Sequence, residues 1–514
     1  MNLHDDVRAE AELRRAIASG KPETIARAAM SNVWPLYSAH FELLTAATEA
    51  LPNSVLARYP VLRIVHRMTP VLARTTRPFK PLIYPDDARS MSPDELDILT
   101  LVQMIAFRFS GDVTAALIYA RRLEERIQQV RVESRERIDG PLWYYHQQIG
   151  STLLAAGDSS RALLEFATAR QLGRLSPQAD AERLALGRTA LAHAVRGSLD
   201  DAELALAELV HQPPPTGAHV NSSTMTERTA AALVGVERMV DDVDDLLADL
   251  ESYDSIELSW PFALLARTRS LLARHRADDA LEALHLASDA HPTQHGSFAS
   301  DVIHSATIEA LWAAGDAAGA RRVAGTNAKA GTLTTIASVR LALQDSRLDL
   351  AARGVRQISA DLTLGPGQRV EALLLSTWVE MMRTDAVDPE TARQIARLTA
   401  KRNVRRLLAT MPQQLISLVR ADLPEPEAAA FDDATAGLTH TESHRTPALT
   451  PGELRVLNAL PLHPTTAAIA ASFHVSPNTV KSQLKSIYRK LGCSTREEAL
   501  KVAIRHRLIA VPVG

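Results

Sequence analysis

Three polar residues near the C-terminus, Lys481, Ser482 and Lys485, sit in a helix-period stretch, Pro477 to Leu491, that contains no acid. Val480, Leu484, Ile487 and Leu491 recur at spacings of three and four, so they form its buried stripe. The opposite face then presents Asn478, Lys481, Ser482, Lys485 and Arg489. Ammonium groups placed this way can donate to guanine O6 and N7 or pair with phosphate, while Asn and Ser add shorter donors and acceptors. The N-terminal half of such a helix is the part that meets base edges, which makes Lys481, Ser482 and Lys485 the candidate base-reading residues.

The elements that would hold this helix are written around it. Thr450-Pro451-Gly452-Glu453 is a capping box with proline at the first helical position. Leu454, Leu457 and Leu460 are expected to face one way, and Pro461 and Pro464 end that helix. Thr465 or Thr466 opens a second, short helix with Ile469, Ala470 and Phe473 on its apolar side. His474 and Val475 make the turn, and Ser476 caps the third helix ahead of Pro477. Gly492 is expected to end it, and Ser494-Thr495-Arg496-Glu497 to cap a fourth helix reaching about Leu508. Two short helices joined by a tight turn, the second basic, can place a helix in the DNA major groove.

Charge follows the same division. From Leu449 to Gly514 nine Lys/Arg face three acids, net +6; the whole chain carries −3, so the rest carries −9. A small basic module on a large acidic region is the pattern of a nucleic-acid reader joined to something else. Residues 421–448, rich in Pro, Gly, Thr, Ser and acids, read as a flexible linker between them.

The segment LTPGELRVLNAL…AAIAASFHVSPNTVKSQLKSIYRKLGCSTREEAL resembles the LuxR/FixJ-type helix-turn-helix, with its L-T-x-x-E-x-x-V-L, I-A, V-S-x-x-T-V-K, Y-R-K-L-G and E-A marks. The resemblance implies a four-helix module that binds double-stranded promoter DNA at two half-sites as a homodimer, with the fourth helix at the dimer contact. By position it again implies base contacts for Lys481, Ser482 and Lys485, and backbone contacts for Thr479, Arg489 and Lys490. Three departures stand out: Ala468 replaces an acid, His474 a turn glycine and Gln483 a histidine. Ser482 and Gln483 therefore prevent any recognition sequence from being carried over.

Upstream, Ala, Leu and Arg dominate and only 4% of the chain is aromatic, which predicts an all-α fold. In 143–170, Gly150, Leu153, Gly157, Ala162, Phe166 and Ala169 fall at the small and large positions of a tetratricopeptide helix pair. Echoes follow at Ala190, Gly197, Ala202, Leu206 and Leu209, at Ala280, Leu284 and Ala287, and at Gly315, Asp316 and Ala320; Ala337–Ile358 is a further candidate. The expected architecture is a tetratricopeptide-like α-solenoid over 1–420 with a concave groove, interrupted by a proline-rich loop at 211–225. Trp34–Pro60 reads as helices with a proline break, and 30–410 is more loosely similar to the helical-repeat region of MalT-like regulators. Relatives of that kind often place an ATP-binding domain ahead of the repeats. Here Ser19-Gly20-Lys21-Pro22 is no phosphate loop, since Arg15 occupies the first glycine position and Pro22 that of the Ser/Thr.

Catalysis finds little support. The seventeen histidines show no H-E-x-x-H spacing and no G-x-S-x-G turn is present. The acid pairs Asp241–Asp242 and Asp244–Asp245 read as a solvated face. The lone cysteine, Cys493, forms no framework and reads as a half-buried small residue. No cofactor or metal is expected. The N-terminus lacks a secretory signal and no apolar run suits a membrane span, so a cytoplasmic location is expected. The expected division is 1–420 helical repeats, 421–448 linker and 449–514 DNA-binding module. The expected function is a one-component transcription regulator whose repeats receive a protein or small-molecule signal. The alternative is an interaction scaffold in which the solenoid is the functional part and DNA binding is weak or lost.

Overall fold

The computed structural model describes residues 3–59, 61–62, 93–129, 142–176, 178–216, 219–248, 250, 259–291, 293, 296–326, 331–402, 404–440, 449–491, 493, 495–505 and 508–509. Among the described residues there are 28 helices and no strand, so the all-α solenoid followed by a helix-turn-helix module is what forms.

The array is built by one recurring turn. A residue with positive φ follows a helix at Gly111, Gly157, Gly197, Met239, His275, Gly315 and Ser346. The next N–H then reaches back five residues, as from Asp158 to Leu153 and from Arg276 to Leu271, at 2.8–3.1 Å. That hydrogen bond satisfies a carbonyl orphaned at the helix end and folds the chain straight into the next helix. Asp112, Asp158 and Asp316 go further, since their carboxylates accept from the N–H groups of Ala115, Arg161 and Gly319 and cap the helix that follows.

Helices before these turns lie inside, and helices after them lie outside. Leu142–Ala155, Ala181–Arg196 and Pro366–Thr384 are buried on several faces. Ser159–Leu175 buries one stripe containing Ala162, Phe166 and Ala169, all of them positions singled out in the sequence. Gly150 is needed there, because a Cβ on it would lie 2.7 Å from the Phe166 ring.

The array curls so that helices far apart in the chain touch. Ala181–Arg196 touches Pro366–Thr384, Leu142–Ala155 touches Phe298–Ala313, and Val220–Arg238 touches Arg405–Ala409. At the seam the backbones are so close that a Cβ on Gly197 would lie 2.5 Å from Gly367 Cα. The space between the inner helices is filled by ion pairs. Glu237 Oε1 accepts from Arg269 and from Arg406, each at 2.7 Å, and Arg340 donates to Glu309 and Glu371. Burial pushes the Glu237 carboxyl up, but Arg406 and Arg269 outweigh it and hold the group below its usual range. Beside them remains a cavity of about 20 Å³, room for roughly one water. Along this stretch of the expected concave groove, three arginines and three glutamates pair across the inner helices.

Two boundaries differ from the reading of the sequence. Within 421–448, the helix Glu427–Thr435 docks on Pro389–Arg402 with Phe431 fully buried between Ala428 and Ala434. Flanking Pro424 and Pro426 and the acids had masked this short apolar stripe. Residues 441–448 lie outside the described residues. The proline-rich loop likewise ends early, since Val220–Arg238 is already helical. At the N-terminus, Ala9, Leu13, Leu36 and Leu44 belong to a separate small core. It meets the array where Tyr37 and Tyr144 share a hydroxyl hydrogen bond of 3.0 Å.

Candidate nucleic-acid interface

The C-terminal module has its own core of Val456, Leu457, Leu460, Ile469, Ala470, Val480, Leu484, Ile487, Leu491, Ala499 and Ala503. Its helices are Pro451–Ala459, Thr466–Ser472, Pro477–Leu491 and Arg496–Arg505. Local chemistry explains each start. Thr450 and Glu453 exchange the two hydrogen bonds of a capping box. Thr465 accepts from Ala468 N–H at 3.2 Å, and Ser476 accepts from Thr479 N–H at 3.1 Å. His474 makes the sharp turn with φ +54°.

Two details correct the sequence reading. Leu454 is 37% exposed; Val456 joins Leu457 and Leu460 in the core instead. The inward stripe of the first helix is therefore 453, 456, 457 and 460, with Glu453 in its first place. The fourth helix is capped by Thr495 with Glu498, one residue later than expected, through reciprocal bonds of 3.2 and 3.1 Å. Gly492 and Ser494 lie outside the described residues.

Arg496, passed over in the sequence as a member of that box, reaches back to the carbonyls of Leu460, His463 and Pro464. It closes the C-terminal end of the first helix, where a cation also suits the helix dipole. Arg455 lies over the Phe473 ring at 5.1 Å and ties the first helix to the turn.

On the third helix, Val480, Leu484, Ile487 and Leu491 are buried as expected. Asn478, Thr479, Lys481, Ser482, Lys485 and Arg489 are exposed together on the opposite side. No carboxylate among the described residues pairs with Lys481, Lys485 or Arg489. Thr479 Oγ1 shares a 2.9 Å hydrogen bond with Ser476 Oγ at the start of the helix. Gln483 turns toward the first helix, close enough that a Cβ on Gly452 would lie 3.1 Å from its amide nitrogen.

Lys490 sits apart from that exposed face. Its Nζ donates to Glu453 Oε2 at 2.6 Å, on a carboxylate only 7% exposed. Lys490, Ser486 and the Thr450 N–H together hold the Glu453 carboxyl down to about 2. One glutamate thus caps the first helix and pins it to the third. The same residues carried a capping signal in the sequence; the 37-residue reach to Lys490 carried none. Cys493 is half-buried as expected, and burial with the Glu498 charge pushes its thiol up.

Four capped helices with a cationic third helix standing clear of its scaffold define a helix-turn-helix DNA-binding module. Residues 447–503 match the family described as bacterial regulatory proteins, luxR family, and the chain carries a DNA-binding transcription regulator domain of that family at its C-terminus. Over 63 residues it is 41% identical to the probable transcriptional regulatory protein NarL of Mycobacterium tuberculosis, covering 12% of this chain and 29% of that protein. It is also 41% identical over 63 residues to the transcriptional regulatory protein YdfI of Bacillus subtilis, covering 12% of this chain and 30% of that one. The chain thus spans less than a third of the length of the curated relatives it matches, and no solved structure matches it. Among the described residues no helix is long and apolar enough to cross a membrane.

Proposed function

We propose that this chain is a one-component, cytoplasmic transcription regulator that binds promoter DNA as a homodimer and receives its signal, a protein or a small molecule, through the tetratricopeptide-like repeats. The repeats serve as the sensor region and 449–514 as the reader. The docked helix Glu427–Thr435 carries the ordered part of the repeat region past residue 421, where the linker was expected to begin. The observation that carries this reading is the exposed face of Lys481, Lys485 and Arg489, with no carboxylate partner among the described residues, on a luxR-family domain.

On that face Lys481, Ser482 and Lys485 read bases, and Thr479 and Arg489 hold phosphates. Lys490, also expected at the DNA backbone, serves the module's own frame through Glu453. No catalytic step is assigned, since the regulator domain and its relatives supply a function that needs none.

The test is selection of genomic fragments by the full chain at about 150 mM salt, where nonspecific binding is weak. Enrichment of an inverted repeat with half-sites about one helical turn apart supports the reading. Lys481→Ala or Lys485→Ala should then cost about 1–3 kcal/mol of specific binding and relax preference at one position. No enrichment by either the full chain or residues 446–514 favours the scaffold instead.

A further inference from the structure

The outer helix Ala317–Thr326, AAGARRVAGT, buries only Gly319 and Ala320 along its length. With so little apolar surface to hold it down, it stands away from the next outer helix, Leu348–Ser359. The gap is a half-open groove of about 680 Å³, within the size range of small-molecule sites. Helical period explains which side chains line it. Residues 321, 324 and 325 form one wall, and 347, 350, 353, 354 and 357 form the other. The inner helix Thr332–Gln344 lays Ser338, Val339 and Ala342 along the floor.

The electrostatics of this groove run against those of the acidic region around it. Its one lining carboxylate, Asp345, is taken up by Arg321 in a two-pronged pair at 2.7 and 2.8 Å. Arg347 and Arg353 are exposed, line the groove, and pair with no carboxylate among the described residues. Two guanidinium groups therefore remain uncompensated in a region whose net charge is −9. Guanidinium presents a planar fork of donors that matches phosphate and carboxylate oxygens. Ser338 and Gln357 add neutral hydrogen-bonding groups, while Ala324 and Leu350 offer apolar surface. Gly325 leaves its side of the wall bare, since a Cβ there would meet nothing within 4 Å.

We infer that this groove binds a small organic anion, an apolar body bearing a phosphate or carboxylate group, with Arg347 and Arg353 holding the anionic group. As an effector site it rests on the reading that the repeats receive a small-molecule signal. As a binding site it stands by itself. A ligand there bridges two outer helices that otherwise hardly touch, so its occupancy stiffens the array between them.

The experiment uses the full chain with three probes of one shape: phenyl phosphate, benzoate and neutral benzyl alcohol. Binding is read by saturation-transfer NMR and titration calorimetry. The anions should bind and benzyl alcohol should bind at least about tenfold more weakly. The double variant Arg347→Ala/Arg353→Ala should weaken the anions by at least about tenfold. Gly325→Leu, which fills open space, should abolish binding with the melting temperature unchanged. Preference for phenyl phosphate or for benzoate identifies which anionic group the site takes. Equal binding of benzyl alcohol, unaltered binding by both variants, or no binding of any probe up to about 10 mM overturns the inference. DNA affinity measured with and without bound probe separates the two readings. A site that binds the anion without moving DNA affinity is confirmed as a site and refuted as an effector site.

Discussion

Lys490 can serve either the DNA backbone or Glu453, and one substitution separates the two. Replacing it with methionine removes the charge and keeps most of the stem. The Glu453 carboxyl is held from 4.5 down to about 2, which at about 1.4 kcal/mol per pH unit sets a ceiling near 3 kcal/mol. The Lys490 side chain is 27% exposed, and water stands close behind so small a module, so screening reduces this to roughly 1–2 kcal/mol. Lys490→Met should therefore lower the stability of the module by about that amount, read by hydrogen exchange of 477–491 in the full chain. The companion Glu453→Gln keeps a capping side chain, and the double variant should show a coupling of at least about 1 kcal/mol. Because the folded carboxyl is depressed, this stabilisation is present above about pH 4.5 and is lost as pH falls toward about 2. In DNA binding, Arg489→Ala should flatten the dependence of log affinity on log salt by about one phosphate contact, and Lys490→Met should leave it unchanged. A flattened slope for Lys490→Met with unchanged hydrogen exchange refutes the internal tie.

Other expectations follow from the array. Phe431→Ala should cost about 3–5 kcal/mol by urea denaturation of 1–440, since the ring is fully buried; no change would return this segment to the linker. Glu237→Gln leaves Arg269 and Arg406 facing each other in the interior and should cost about 3–5 kcal/mol, with hydrogen exchange rising at 405–409; a loss under about 1 kcal/mol refutes the pairing. Gly367→Ala places a Cβ 2.7 Å from Gly197 Cα and should cost about 1–3 kcal/mol, with an enlarged radius in small-angle scattering if the seam parts.

The reader module was legible because its signals are local. Thr450, Thr465 and Ser476 sit within three residues of the N–H groups they cap, and the stripe from Val480 to Leu491 lies on one helix. The errors there are of the same local kind. Leu454 and Val456 compete for one inward position, and Ser494 and Thr495 for one cap. The repeats were most legible where glycine marked the turn, at Gly157, Gly197 and Gly315, while Ala280, Leu284 and Ala287 and Ala337–Ile358 were read from stripe spacing alone. Met239, His275 and Ser346 make the same turn with positive φ and no compositional mark. What closes the array was not legible at all. Glu237 and Arg406 are 169 residues apart, and each reads alone as an ordinary surface charge on a helix.

Closure constrains how a signal would enter on the proposed function. A solenoid with an open groove can take a ligand on its concave side without moving. Here that side holds Glu237, Arg269, Glu309, Arg340, Glu371 and Arg406, with a cavity of about 20 Å³ beside them. A ligand in the interior would have to break buried ion pairs whose separated members are costly to leave uncompensated. Input is therefore cheaper on the outside, where grooves between outer helices already exist. If the contact of Arg196 and Gly197 with Gly365 and Gly367 can part, stiffening or loosening the outer helices would shift the balance between a closed and a parted array. If the reader's access to DNA depends on that balance, the array can act as a regulator without a ligand ever reaching its centre.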